Sequence, residues 1–468
     1  MLKKAFMLVS GDAFGSALLL LRNLIVARLV SPEDYGIAST FAVAMSIVEM
    51  LSYLGLNLMI VVDKDGDAPQ MQKVLQGFQV LRGVMSSAVL FAISVPYARF
   101  LGIEHVAWAF QVIAAIPFIN SLQHFDMHRL KRHAIFRPWI VTQAIPPLIA
   151  VLVLWPLALM YGDYRIMLVS LIVQAVATVV LSHVMAERPY RLSWDFPLVR
   201  RATFFGWPLL LNGALLFGVF NGERLIVGRE LGMAPLAVFS MAMTLTLTPT
   251  LVFDRQIQSL FLPRLSALRE NDAQFQRMGA AYIEAGLAIG MVLLIGTVLV
   301  GGPVVTVLLG PKYAGMLALL VPMAAVQAVR VAKTGPSNVS LAKEKPGIAP
   351  ISNAIRVLSL PIAWAALIRT GDIMVVLGIA FAVEALAYLV SLWLTGRRAG
   401  LRLGPLVLPS ALAAAASGGA FLESLWSPQV ADLLGNLGWT RWAVVALCLA
   451  TLGSMTALRG YIFKRFAP

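Results

Sequence analysis

The sequence predicts an all-α integral membrane protein with about fourteen transmembrane helices. Three observations predict it. First, 59% of the 468 residues are hydrophobic and 13% are charged, with a mean hydropathy of +0.82. Soluble globular chains are about 25% charged. Second, the apolar runs are continuous for about twenty residues, the length a helix needs to cross hydrocarbon. Barrel strands would instead alternate apolar and polar over about ten. Third, the lysines and arginines collect at alternate ends of these runs.

The runs fall near 6–30, 36–62, 75–98, 105–123, 138–160, 164–185, 204–231, 235–262, 279–301, 316–342, 348–368, 372–395, 405–424 and 439–460. The first opens like a signal peptide. It contains Asp12 and continues past Arg22 without a small-residue cleavage site, so it reads as an uncleaved span. "SPEDYG", Ser31–Gly36, reads as the turn into span two, whose middle holds Glu49. Pro146-Pro147 and Pro208 fall inside spans, where neighbouring helices can satisfy the freed backbone groups. The connections are short, and the segment 425–438 is the longest expected outer loop.

Placing the N-terminus in the cytoplasm puts 23 of the 37 lysines and arginines on inner segments, 7 on outer segments and 7 within spans. This is the positive-inside pattern of a multi-pass protein of the bacterial inner membrane, with both termini cytoplasmic. The net charge of +14 therefore reflects topology and anionic lipid rather than nucleic acid. The lone Cys448 excludes a disulfide framework.

A shift of 201 residues lays "LIVAR", Leu24–Arg28, on "LIVGR", Leu225–Arg229. "PYARFLG", Pro96–Gly102, has an echo in "PVVTVLLG", Pro303–Gly310. Both copies begin a span from the same side, so the repeat is parallel, with six spans in each copy. The expected divisions are 1–195, 196–400 and an extra pair of spans at 401–468. The basic stretch 187–201 joins the first two and reads as a membrane-surface linker.

"RNLIVARLVSPEDYGIAS", Phe204–Ala242, "LPRLSAL" and "LLGPKYAG" resemble the polysaccharide transporter family of bacterial oligosaccharide flippases. That family belongs to the multidrug/oligosaccharidyl-lipid/polysaccharide exporter superfamily. The resemblance implies two six-helix lobes in a V around a central cavity. It also implies movement of undecaprenyl-diphosphate-linked sugars across the inner membrane by alternating access, for exopolysaccharide, O-antigen or capsule. A polysaccharide polymerase and a chain-length regulator would be the protein partners. Lipid II flippases of the superfamily often carry Arg-Asp before the "IVAR" element, where this chain has Arg22-Asn23. They also have two extra C-terminal spans bordering a groove for the lipid tail.

Charges within spans mark functional candidates, because each is costly in hydrocarbon. Gly11, Asp12, Gly15, Ser16, Arg22 and Asn23 share one stripe of the first span, which should face the interior. Arg22, Asn23, Arg82, Arg224, Arg330 and Arg356 are the candidates for holding a diphosphate, since guanidinium matches phosphate oxygens in a bidentate fork. Glu49, Glu223, Asp254 and Glu384 are the candidates for coupling to H⁺ or Na⁺. No other cofactor is expected. Glu284 lies nearer the inner face, within reach of water.

"DKDGD", Asp63–Asp67, has the wrong glycine position for a calcium loop and reads as solvated. His124, Asp126, His128 and His133 sit among cations that would repel a metal. There is no P-loop. A carrier is thus expected rather than an enzyme. The competing readings are a cation-coupled multidrug antiporter of the same superfamily, or a polymerase or ligase acting on lipid-linked sugars.

Overall fold

The computed structural model describes residues 2–345, 347–434 and 438–466. These residues are helical with no strand among them. They form two compact units, Met1–Ala237 and Val238–Pro468.

In the first unit the helices are α1 (Leu2–Leu29), α2 (Pro32–Leu51), α3 (Leu56–Val62), α4 (Pro69–Phe100), α5 (Ala107–Ile113), α6 (Ala115–Ser121), α7 (Asp126–Arg132), α8 (Arg137–Leu152), α9 (Leu154–Met160), α10 (Arg165–Val184) and α11 (Phe196–Leu231). Helix α12 (Met233–Ala267) carries the chain into the second unit. There follow α13 (Asp272–Leu309), α14 (Met316–Ala332), α15 (Thr334–Ala342), α16 (Ile348–Leu358), α17 (Leu360–Thr370), α18 (Ile373–Ala399), α19 (Gly404–Leu434), α20 (Gly438–Ser454) and α21 (Thr456–Phe466). Each of the fourteen expected runs contains helix. Among the described residues eleven helices are long and apolar enough to cross a membrane, or thirteen if each of two bent pairs counts as one span.

Helix starts follow local capping chemistry. Ser31, Asp195, Asn271 and Asp372 accept the backbone N–H of Asp34, Leu198, Gln274 and Met374. "SPED" is therefore the capped first turn of α2 rather than a free turn, with Pro32 at its first position and two acids on the positive end of the helix. The expected loop at 425–438 also differs, because α19 runs on to Leu434. Residues 435–437 lie outside the described residues, as does the side chain of Asp12.

Six expected spans are each broken into two helices, and proline explains four of the breaks. Pro117, Pro156 and Pro336 are third in α6, α9 and α15, and Pro361 is second in α17. Proline offers no N–H and clashes with the carbonyl four residues back. For the first three, that carbonyl belongs to the last residue of the preceding helix: Ile113, Leu152 and Ala332. For Pro361 it belongs to Val357, one residue before the end of α16.

The breaks also display the internal repeat. A 201-residue shift lays Pro32, the start of α2, on Met233, the start of α12. Helices α4 and α13 each lead into a positive-φ glycine, Gly102 or Gly310, and then a short 3₁₀ turn. Two broken spans and one unbroken helix follow in both copies.

The expected span 36–62 is not one helix. Helix α2 ends at Leu51, and the chain turns through Gly55 at φ +61°, a left-handed conformation that glycine adopts without a Cβ clash. Glu49 therefore stands two residues from the end of α2 and not in mid-span.

Segments expected on one face meet there. In the second unit, Lys343 donates to the Arg269 carbonyl and Asp272, and Gln276 donates to the Gly400 carbonyl. In the first, "DKDGD" is an exposed loop, as expected, and also a hub of ion pairs. Arg201 grips Asp63 at 2.6 Å and Asp65 at 2.8 Å, and Arg188 and His133 reach Asp67 at 3.3 and 3.1 Å. The 187–195 stretch, expected as a membrane-surface linker, is an extended strap packed on the protein. Its Arg191 carbonyl accepts from Gln76, its Ser193 N–H donates to the Lys73 carbonyl, and Asp126 accepts the N–H groups of Glu187 and Arg188. The strap gives its backbone groups to α4 and α7, and lying free on the membrane it would lose these partners.

The hub gives a pH dependence. The His133 contact first, with Arg188 and Arg129 behind it, holds the Asp67 carboxyl below the usual carboxylate range. A carboxyl depressed on folding contributes stability above its unfolded value of about 3.9, and loses it as pH falls through the folded value. The thermal midpoint in detergent should therefore fall between about pH 5 and pH 3 more steeply for wild type than for Asp67→Asn. Parallel curves would show that Asp67 contributes nothing.

Candidate functional site

Arg22 lies 8% exposed in α1 and donates from Nη1 to Oε1 of Gln174 in α10. The stripe that carries it faces the unit's interior as expected. A Cβ on Gly11 would touch Ile140 of α8, and one on Gly15 would stand 2.9 Å from the Gln143 carbonyl oxygen. Asn23 is half-buried beside it. Tyr35 at the start of α2 is buried and within electrostatic reach of both Arg22 and Arg224. Glu223 is buried at 4% exposure, next to half-buried Arg224. The structure thus places a tyrosine that sequence reasoning missed within electrostatic reach of two predicted arginines.

Arg82 of α4 plays a different part. Its Nη1 donates to the Ser52 carbonyl at 3.0 Å and to Ser52 Oγ at 3.4 Å. A cation on the last carbonyls of α2 suits the negative end of that helix. Glu49 is exposed on α2, within electrostatic reach of this guanidinium.

The second unit brings three predicted residues into one cluster. Both oxygens of Glu384 in α18 are engaged. Oε1 meets Arg330 Nε at 2.7 Å and Arg356 Nε at 3.3 Å, and Oε2 meets Lys333 Nζ at 2.9 Å. The Glu384 side chain is fully buried, and the three cations are 1–8% exposed. Arg330 also reaches Gln327 at 3.2 Å, and Arg356 reaches Ser359 at 3.3 Å. The proline breaks arrange this: Lys333 sits in the α14–α15 break and Ser359 in the α16–α17 break. Three buried cations thus converge on one carboxylate.

Asp254 of α12 accepts from Thr334, which follows Lys333, at 2.7 Å. One turn further, Gln258 donates to Asn338 at 3.1 Å, and Asn338 donates to Tyr282 at 2.7 Å. Residues 254 and 258 face 334 and 338 at helical i,i+4 spacing. That spacing was visible in the sequence, but the polar partners hide among apolar neighbours.

Helices α12, α13 and α21 also border an apolar cavity of about 940 Å³, whose lining includes Phe253, Ile257, Phe261, Val292, Leu320 and Tyr461. Its end is fixed by Glu284. Glu284 was expected to reach water. Instead it is fully buried and accepts the Leu458 N–H at 2.6 Å, capping α21 where that helix bends by 59° from α20.

The family described as polysaccharide biosynthesis protein matches residues 25–318. The chain belongs to that family. The succinoglycan biosynthesis transport protein ExoT of Rhizobium meliloti (strain 1021) is 22% identical over 311 residues, covering 63% of this chain. The match spans 61% of that relative's length. Among solved structures, the lipid II flippase MurJ in an inward closed conformation aligns at TM-score 0.68 and 12% identity, covering 98% of this chain and 99% of its own. An inward-facing multidrug resistance MATE transporter of the MOP superfamily aligns at 0.66 and 14%, covering 85% and 98%. The family member therefore has the all-helical fold of MOP-superfamily transporters.

Proposed function

We propose that the chain is a carrier that moves an undecaprenyl-diphosphate-linked oligosaccharide across the bacterial inner membrane by alternating access. The assembly served would be exopolysaccharide, O-antigen or capsule. One observation carries the reading: Arg330, Lys333 and Arg356 are buried together around the carboxylate of Glu384. Buried cations in spanning helices are costly and are kept where they act on a charged partner. A diphosphate carries about two negative charges, and guanidinium forks match its oxygens. The 940 Å³ apolar cavity in the same unit offers a place for part of a prenyl chain. A relative named for succinoglycan transport supports a polysaccharide cargo.

Glu384 is already saturated by three cations, so we assign H⁺ or Na⁺ coupling to Glu49, which is exposed beside Arg82. A polymerase and a chain-length regulator would act on the delivered sugar. Both termini would lie in the cytoplasm, where the basic segments gather.

The test is reconstitution into vesicles with a fluorescent polyprenyl-diphosphate saccharide, following its exposure to a reagent outside. Arg22→Ala and Arg330→Ala should each slow translocation by about tenfold or more, as expected for loss of a charge-assisted contact of about 1.5–3 kcal/mol. Rates equal to wild type in both variants would end the proposal.

A further inference from the structure

A second, smaller cavity of about 180 Å³ lies in the first unit, and Arg22 does not line it. The α2–α3 turn supplies Tyr53 and Asn57, and α4 supplies Gln79 and Arg82. The chain ahead of α7 adds Gln123, and the first turns of α8 add Trp139 and Gln143. The turn at Gly55 opens this space, because a continuous α2 would carry residues 53–57 along its axis instead.

The lining has a consistent chemistry. Four carboxamides stand around one small volume, and each offers a carbonyl acceptor and an NH₂ donor. Vicinal hydroxyls of a sugar ring are likewise donors and acceptors at once, so they can satisfy such amides in pairs. Tyr53 and Trp139 each combine an apolar ring face with a polar edge. Trp139 is held in place by His128, ring centroids 5.5 Å apart, and by the Lys131 ammonium 4.0 Å over its ring. No Asp or Glu lines the cavity. Its one charged group is Arg82, anchored through Nη1 on Ser52, with a buried Nε that has no hydrogen-bond partner. The cavity offers a cation no carboxylate, and a purely apolar ligand would leave its amide groups without partners.

We propose that this cavity is a saccharide subsite. It holds one sugar ring of the cargo, with the amides on its hydroxyls, an aromatic face against its C–H face, and Arg82 beside a hydroxyl or an acidic substituent. The inference rests on the reading of the chain as a carrier of lipid-linked saccharide, and adds where and by which residues the sugar is chosen. This cavity would select the sugar.

Two probes separate this inference from the reading beneath it: a polyprenyl-diphosphate hexose, and the same polyprenyl diphosphate without sugar. Binding of each to purified protein in detergent would be measured for wild type, for Gln79→Leu/Gln143→Leu and for Trp139→Phe. Thermal unfolding would verify that the variants are folded. The double variant should weaken the hexose probe by about tenfold or more, from two lost hydrogen bonds, and leave the sugar-free probe unchanged. Trp139→Phe keeps an aromatic face and should retain most of the hexose affinity. Equal loss of both probes would show that the cavity reads phosphate, and no loss of either would show that it reads nothing; both overturn the subsite. If wild type binds neither probe, the carrier reading itself fails, and the subsite falls with it.

Discussion

Glu384→Ala should destabilise the second unit by about 3–5 kcal/mol, the range for a buried charge set stripped of its counter-ion. The carboxylate contacts Arg330, Lys333 and Arg356, all within 3.3 Å of it. Removing it leaves three cations facing one another in a region with little water, where their repulsion is weakly screened. Removing one cation instead leaves Glu384 with two. Lys333→Met should therefore cost far less than Glu384→Ala, although both break the same contact. Adding Arg356→Met to Glu384→Ala should recover part of the loss, because residues in one network are not additive. Thermal midpoints of the purified variants in one detergent would give the order. Equal losses for Glu384→Ala and Lys333→Met would mean that the cluster does not act as a charge-balanced unit.

The same cluster separates what the residues foretell from what the fold adds. Arg330, Arg356 and Glu384 stand out in the sequence because charges within apolar runs are conspicuous. Their meeting is not legible, since it depends on two kinks and on how α14 to α18 pack. The kinks themselves could have been read. Pro117, Pro156, Pro336 and Pro361 stand where a proline must break a helix, and their recurrence in both copies supports the repeat more strongly than a five-residue match. The helical class, the run positions and the stripe through Arg22 follow from periodicity alone. Polar residues without charge were missed: Gln174, Thr334, Asn338 and the amides of the small cavity. A glutamine in a membrane helix has no periodic signature, and only a neighbour in space shows which face matters. The partners of "DKDGD" were missed for the opposite reason. Three acids in a loop look solvated until Arg201, Arg188 and His133 arrive from elsewhere in the chain.

Gly213→Ala should destabilise the first unit by about 1–3 kcal/mol, the range for overpacking a close contact. Helices α2 and α11 approach along a line of glycines. A Cβ on Gly213 would lie 2.2 Å from the Met50 carbonyl oxygen, and one on Gly206 would lie 2.4 Å from that of Leu54. Both obstacles are backbone atoms, so no side-chain rotation relieves them, and the helices must separate. Small residues at such crossings let membrane helices gain packing energy that lipid cannot supply. The control is the same substitution where space is open. Gly418 in α19 has nothing within 4 Å of its would-be Cβ, and alanine is the better helix former by about 1 kcal/mol. Gly418→Ala should therefore leave the thermal midpoint unchanged or raise it, while Gly213→Ala lowers it. A fall of equal size in both would trace the effect to glycine's flexibility. A fall at Gly213 alone would trace it to the contact between α2 and α11.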